Sequence, residues 1–180
     1  MKKIILIMVM AIASLGAYAQ TDNMYVGGSV GFWRNSGDNT TEFKILPEIG
    51  YKYSDKVTFG AVLGYDYNYV NSAKVNLFEI NPYARYTFYK NDKFSAFVDG
   101  TVGIGLGWTS YKGGDDTDLA ATYQIGFAPG VAYNLSNNVS IVAHVGFVGY
   151  KGGNNASQVP DQGGLLLDGN DLTFGIYYNF

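Results

Sequence analysis

Apolar and polar residues alternate with a period of two along most of the chain from residue 24 onward. Successive side chains of a β-strand point to opposite faces, so this alternation predicts strands with one apolar side. Eight segments carry it: residues 24–34, 42–53, 57–70, 75–89, 94–109, 119–135, 139–150 and 165–180. The last closes with Leu172, Phe174, Ile176, Tyr178 and Phe180 on one face, and Thr173, Gly175, Tyr177 and Asn179 on the other. Asp168, Gly169 and Asn170 interrupt it and read as a turn or bulge. Most segments exceed the ~9–11 residues with which a tilted strand crosses a bilayer.

The connections alternate in length. Residues 54–56, 90–93 and 136–138 are tight polar turns, whereas 35–41, 71–74, 110–118 and 151–164 are mostly longer and rich in Gly, Asn and Asp. Short turns at one end and longer loops at the other predict an all-β fold, an eight-stranded antiparallel up-and-down transmembrane β-barrel. An even strand count places both chain ends on the short-turn, periplasmic side.

The two faces differ sharply. The outward set includes Ile45, Phe59, Leu63, Phe78, Ile80, Ile104, Phe127, Ile141, Phe174 and Ile176, and no charge interrupts it. Tyr51, Tyr53, Tyr86, Phe88, Tyr133, Tyr178 and Phe180 would ring the periplasmic edge, and Tyr65, Tyr67, Tyr69, Trp108 and Tyr123 the other. The inward set holds the charges: Lys44, Glu48, Asp66, Glu79, Arg85, Asp99 and His144. With Tyr53 opposite Val57, Lys44 faces Asp66; with Tyr89 opposite Ser95, Arg85 faces Asp99. Opposite charges across a strand pair attract, and buried charges persist only when paired or hydrogen-bonded. An internal charge network follows, either a structural plug or a selectivity ring. An eight-stranded barrel is just wide enough for its own side chains to fill it, which favours the plug.

Residues 1–19 read as a cleaved secretion signal. Lys2 and Lys3 precede an apolar run, and Ala17, Tyr18 and Ala19 form the A-x-A cleavage pattern. The barrel domain then occupies residues 20–180. The run is too short for a spanning helix, and without cysteine there is no lipid-modified N-terminus, disulfide or thiolate metal site. Of twelve basic side chains the signal holds two, leaving ten against fifteen acidic ones. That balance argues against a nucleic-acid partner. Sixteen Tyr, eleven Phe and twenty-four Gly fit aromatic girdles outside and crowded positions within.

Three strands share a P-x-x-x-Y pattern before a polar turn: P-E-I-G-Y from Pro47, N-P-Y-A-R-Y from Asn81 and P-G-V-A-Y from Pro129. The three outward prolines each lack a ladder donor and are expected to mark bulges. With these motifs the chain resembles the small outer-membrane β-barrel (porin-family) domain, the group of the OmpA and OmpX transmembrane domains. The resemblance spans residues 20–180 and implies the outer membrane of a Gram-negative bacterium.

Other chemistry is weak. Ser140 and His144 share a strand face, but four residues separate them by more than ~13 Å, too far for a nucleophile and its base. Gly103, Gly105 and Gly107 lack the helix and Lys of a phosphate loop and read as relief of crowding beside inward neighbours such as Tyr83. Asp115, Asp116 and Asp118 lie in an acidic loop without the spacing of a Ca²⁺ loop. The reading is a monomeric, non-enzymatic barrel with a structural or surface-interaction role, without metal or cofactor. Its expected partners are outer-membrane lipid, lipopolysaccharide and the barrel-assembly machinery, with Phe174, Ile176, Tyr178 and Phe180 as the terminal assembly signal. The alternatives are a narrow porin-like channel for ions or small solutes, a lipid A-modifying enzyme, and a soluble ligand-binding barrel of lipocalin type.

Overall fold

The computed structural model describes residues 23–35, 40–70, 73–111, 117–166 and 172–180. The expected signal segment, the acidic residues Asp115 and Asp116, and the interruption at 168–170 lie outside the described residues. The described residues form ten strand segments: β1 (Met24–Asn35), β2 (Thr40–Lys52), β3 (Val57–Val70), β4 (Ala73–Lys90), β5 (Phe94–Tyr111), β6 (Thr117–Asn134), β7 (Val139–Val145), β8 (Phe147–Gly153), β9 (Gln162–Leu166) and β10 (Leu172–Asn179). They run in the order β5-β4-β3-β2-β1-β10-β7-β6-β8-β9, and β5 also pairs with β6, which closes the sheet. β7 with β8, and β9 with β10, each make one stave, so the protein is a closed eight-stranded antiparallel barrel. Closure brings β10 against β1, with Tyr25 opposite Asn179 and Val30 opposite Phe174.

The three tight turns share one chemistry. The side chains of Ser54, Asn91 and Ser136 each accept hydrogen bonds from the backbone N–H groups two and three residues on. A short polar side chain that caps its own turn fixes the reversal locally. It sets the register at the start of each hairpin.

Most registers run unbroken, with two local shifts. One lies between Thr87 and Tyr89, so that Tyr89 faces Ala96 and not the expected Ser95, while Arg85 still faces Asp99. The other lies at Gly146, whose φ of 111° falls in the left-handed half of the map. Here the partner of β6 changes step by one residue: His144 faces Gly130, but Val148 faces Phe127. A single extra residue reverses the alternation of side chains. Ser140, Val142 and His144 point inward on β7, and Phe147, Gly149 and Lys151 point inward on β8. The seventh stave therefore runs on to Gly153, beyond the expected end at residue 150.

The prolines behave differently from expectation. Pro47 pairs with Gly28 and Pro82 with Ala61, and register is constant through both. Each loses its ladder contacts toward the opposite neighbour only, since a missing N–H removes a donor on one side of the strand. Pro129 alone sits beside a bulge, and the extra residue belongs to the facing stave at Gly146.

The outer face is apolar: Ile104 and Ile125 are each 59 % exposed and Ile176 is 63 % exposed. A row of such side chains on every stave suits hydrocarbon as its solvent. The interior has two apolar clusters, one of Tyr25, Phe97, Val142 and Tyr177, the other of Val75, Leu77, Ala120 and Ala156. Ala156 belongs to a short 3-10 turn (Asn155–Ser157) between β8 and β9. Asn154 anchors this turn, accepting from Ala121 N at 3.0 Å and donating to Leu119 O at 2.7 Å. The Thr109 hydroxyl donates to Ala156 O from the lumen side. The turn thus packs against β5 and β6 at the end opposite the tight turns. The expected open loop of 151–164 shrinks accordingly to residues 154–161.

Candidate functional site

Inward positions bring six of the seven sequence-selected residues into two groups and leave Glu79 apart. Nearer the tight turns, β2 supplies Glu48, β4 Arg85, β5 Asp99 and β7 His144. Arg85 Nε donates to Asp99 Oδ1 at 2.7 Å and its terminal nitrogen to Oδ2 at 2.8 Å, a two-point grip on one carboxylate. The same nitrogen reaches Glu48 Oε1 at 3.4 Å. His144 Nε2 lies 2.9 Å from Asp99 Oδ2. Glu48, Arg85 and Asp99 are 8, 7 and 4 % exposed, so water reaches little of any of them.

Aromatic residues complete this layer. The hydroxyls of Tyr83 and Tyr177 donate to Glu48 Oε1 and Oε2. Tyr25 lies 3.0 Å from Oε1 and also meets the Tyr83 hydroxyl. The Arg85 guanidinium sits 3.9 Å from the centre of the Phe97 ring, with Tyr25 stacked on Tyr177 at 4.8 Å beside it. A desolvated cation over an aromatic face gains roughly 2 kcal/mol. The layer thus draws on β1, β2, β4, β5, β7 and β10 and reaches across the lumen.

Each of these rings lies directly opposite a glycine: Tyr25 faces Gly50, Tyr83 faces Gly60, Tyr177 faces Gly27 and Phe97 faces Gly130. A methyl group added at any of the four would collide with the facing ring. Tyr83 therefore crowds Gly60 and not the 103–107 glycines, which instead abut Asn81, Thr122 and the backbone of Asn76.

The second group lies toward the long-connection end. Lys44 Nζ is 3.4 Å from Asp66 Oδ2 and also contacts Glu42. Glu79 stands in a separate chain, accepting from Asn81 Nδ2 at 3.4 Å, while Asn81 accepts from Gln124 Nε2 at 2.9 Å. Asp66 Oδ1 is buried without a hydrogen-bond partner among the described residues.

From the tight-turn end a cavity of about 900 Å³ runs inward to Tyr25, Arg85, Phe97 and Tyr177. Its walls carry Lys52, Lys90, Asn134 and Ser140. Ser140 is engaged by Asn134 Oδ1 at 2.8 Å and Asn179 Nδ2 at 3.2 Å, so its hydroxyl is directed away from His144. Among the described residues no group of three or more His, Cys, Asp or Glu is placed to hold a metal ion.

Sequence reasoning selected the charges and missed the tyrosines that bind them. Alternation assigned Tyr83 and Tyr177 to the inner face, but a large ring inside a narrow barrel needs space. The available signal was a glycine at each position facing a ring. Glu42, which shares Lys44 with Asp66, was missed because it lies at a strand's edge.

A closed, apolar-faced antiparallel barrel with a charged interior defines an outer-membrane β-barrel protein. The chain belongs to the outer membrane protein β-barrel domain family, which it matches over residues 4–180. A comparison with curated proteins finds no match. Solved structures that share the fold include two outer-membrane barrels. The N-terminal β-barrel domain of Pseudomonas aeruginosa OprF is 14% identical with a TM-score of 0.55, covering 89% of this chain and 98% of that one. Neisserial surface protein A (NspA) is 17% identical with a TM-score of 0.55, covering 87% of this chain and 96% of that one.

Proposed function

We propose that this protein is a non-enzymatic, monomeric barrel of the outer membrane with a structural or surface-interaction role, its lumen closed to ions. The observation that carries this reading is the Glu48–Arg85–Asp99–His144 layer with its three tyrosines. Each carboxylate in that layer is satisfied, and Glu48, Arg85 and Asp99 are nearly inaccessible to water. A wide aqueous pore would instead leave such charges hydrated.

The tight-turn end faces the periplasm, as short turns do in outer-membrane barrels. The terminal strand, with Phe174, Ile176, Tyr178 and Phe180 outward, serves as the recognition signal for the barrel-assembly machinery. The partners are then lipid and lipopolysaccharide around the barrel, with no nucleic acid and no cofactor.

A narrow channel is the second reading, favoured by the cavity that reaches Arg85 from one end. Planar-bilayer recording separates the two. The purified chain is expected to give no resolved conductance steps; repeated steps of uniform size would overturn the closed-lumen reading.

A further inference from the structure

A second cavity, of about 510 Å³, opens on the outer face at the long-connection end. Thr41, Tyr67, Tyr69, Lys74, Ser110 and Tyr111 line it, and no carboxylate does. Thr41, Tyr69, Lys74 and Ser110 are direct register partners on four adjacent strands, so they form one outward row. That row continues to Arg34, the partner of Thr41. Lys74 and Arg34 are exposed, and neither makes an ion pair among the described residues. Three strand spacings separate them, roughly 14 Å.

Two outward strand cations without an ion pair among the described residues, beside several hydroxyls, contrast with the inward charges of Lys44, Glu48, Asp66, Arg85 and Asp99. The next row toward the middle of the barrel holds Tyr67, Asn76 and Trp108, and the row after it Tyr65, Phe78 and Leu106, with Tyr65 and Phe78 rings 5.2 Å apart and Phe78 and Trp108 5.9 Å apart. Cations and hydroxyls over aromatics, and then aliphatic surface, reproduce the order of chemistry in a lipid: phosphate, sugar, acyl chain. Phosphate takes charge-assisted hydrogen bonds from Lys and two-point ones from Arg.

We propose that this cleft seats the phosphorylated headgroup of an outer-leaflet glycolipid, held by Lys74 and Arg34, with an acyl chain along Phe78 and Trp108. A disaccharide phosphorylated at both ends matches the separation of the two cations. The site rests on the orientation proposed above and not on whether the lumen conducts.

Titration of the full chain in zwitterionic micelles with diphosphorylated lipid A, followed by calorimetry, tests it without reference to orientation. Saturable binding is expected. Each of Arg34→Ala and Lys74→Ala should weaken it about fivefold, since a basic residue near a lipid surface contributes roughly that factor. Lys74→Arg should retain binding, and unchanged heat-modifiable gel mobility shows that each variant is folded. Fully dephosphorylated lipid A should bind at least as weakly as the double variant, and inorganic phosphate should not compete. Equal binding by the dephosphorylated lipid, wild-type binding by the alanine variants, or displacement by inorganic phosphate would each overturn the site.

Discussion

Arg85 is asked to neutralise two carboxylates at once in a space that water barely enters. Its fork is satisfied by Asp99, and its plane is covered by Phe97. Removing one partner of a buried pair leaves an uncompensated charge, at a cost of about 3–5 kcal/mol. Arg85→Ala should therefore lower stability by about that amount, measured by urea unfolding in micelles with gel mobility as the readout; an unchanged midpoint would remove the layer's structural role. The pair of Lys44 with Asp66 was legible because the tight turn at 54–56 transmits its register along an unbroken hairpin, whereas Arg85 faces Asp99 because the shift between Thr87 and Tyr89 offsets a one-residue difference at the turn. Contacts between strands distant in sequence were not legible. Tyr177 reaches Glu48 only because the barrel closes, and no local pattern encodes where a ring meets a residue 129 positions away.

At the scale of elements, the five staves from β2 to β6 fell within a few residues of their alternation patterns. The departures concentrate in the last two staves. Alternation assumes an unbroken pleat, and Gly146 breaks it, so residues on either side of it obey opposite parity. Its φ of 111° is one that side chains rarely adopt. Gly146→Val should cost about 1–3 kcal/mol through backbone strain alone. The same urea experiment would register it, whereas Gly100→Val, at a strand position where an added Cβ meets only ordinary contacts, provides the comparison. A loss no greater at 146 than at 100 would mean that the bulge relaxes without strain. The turn Asn155–Ser157 was likewise invisible beforehand, because its burial depends on the shape of the lumen beneath it.

For the whole molecule, the outward face is the surface that membrane insertion reads. Ile125 and Gln124 are neighbours in sequence, but one meets lipid and the other hydrogen-bonds Asn81 inside. Ile125→Arg should destabilise the inserted barrel by about 2–4 kcal/mol if the position lies near the bilayer midplane, measured by unfolding from lipid vesicles. An effect confined to vesicles and absent in micelles would identify the bilayer core as the cause. Equal effects in both would place the loss in packing. The fold and its membrane character were legible together, since both rest on one alternation. What the barrel does was less so, because function resides in the lumen and loops, where spacing is irregular. The four ring–glycine pairs bear on a different matter, the uniqueness of the sheet. A strand that slips by two residues keeps every apolar side chain facing lipid, so the alternation that directs insertion cannot detect the mistake. Such a slip would bring Tyr25 against Glu48 or Lys52 and leave the hollow at Gly50 unfilled. The pairs thus work like the cuts of a key, rejecting the in-phase misregistrations that the hydrophobic pattern would pass.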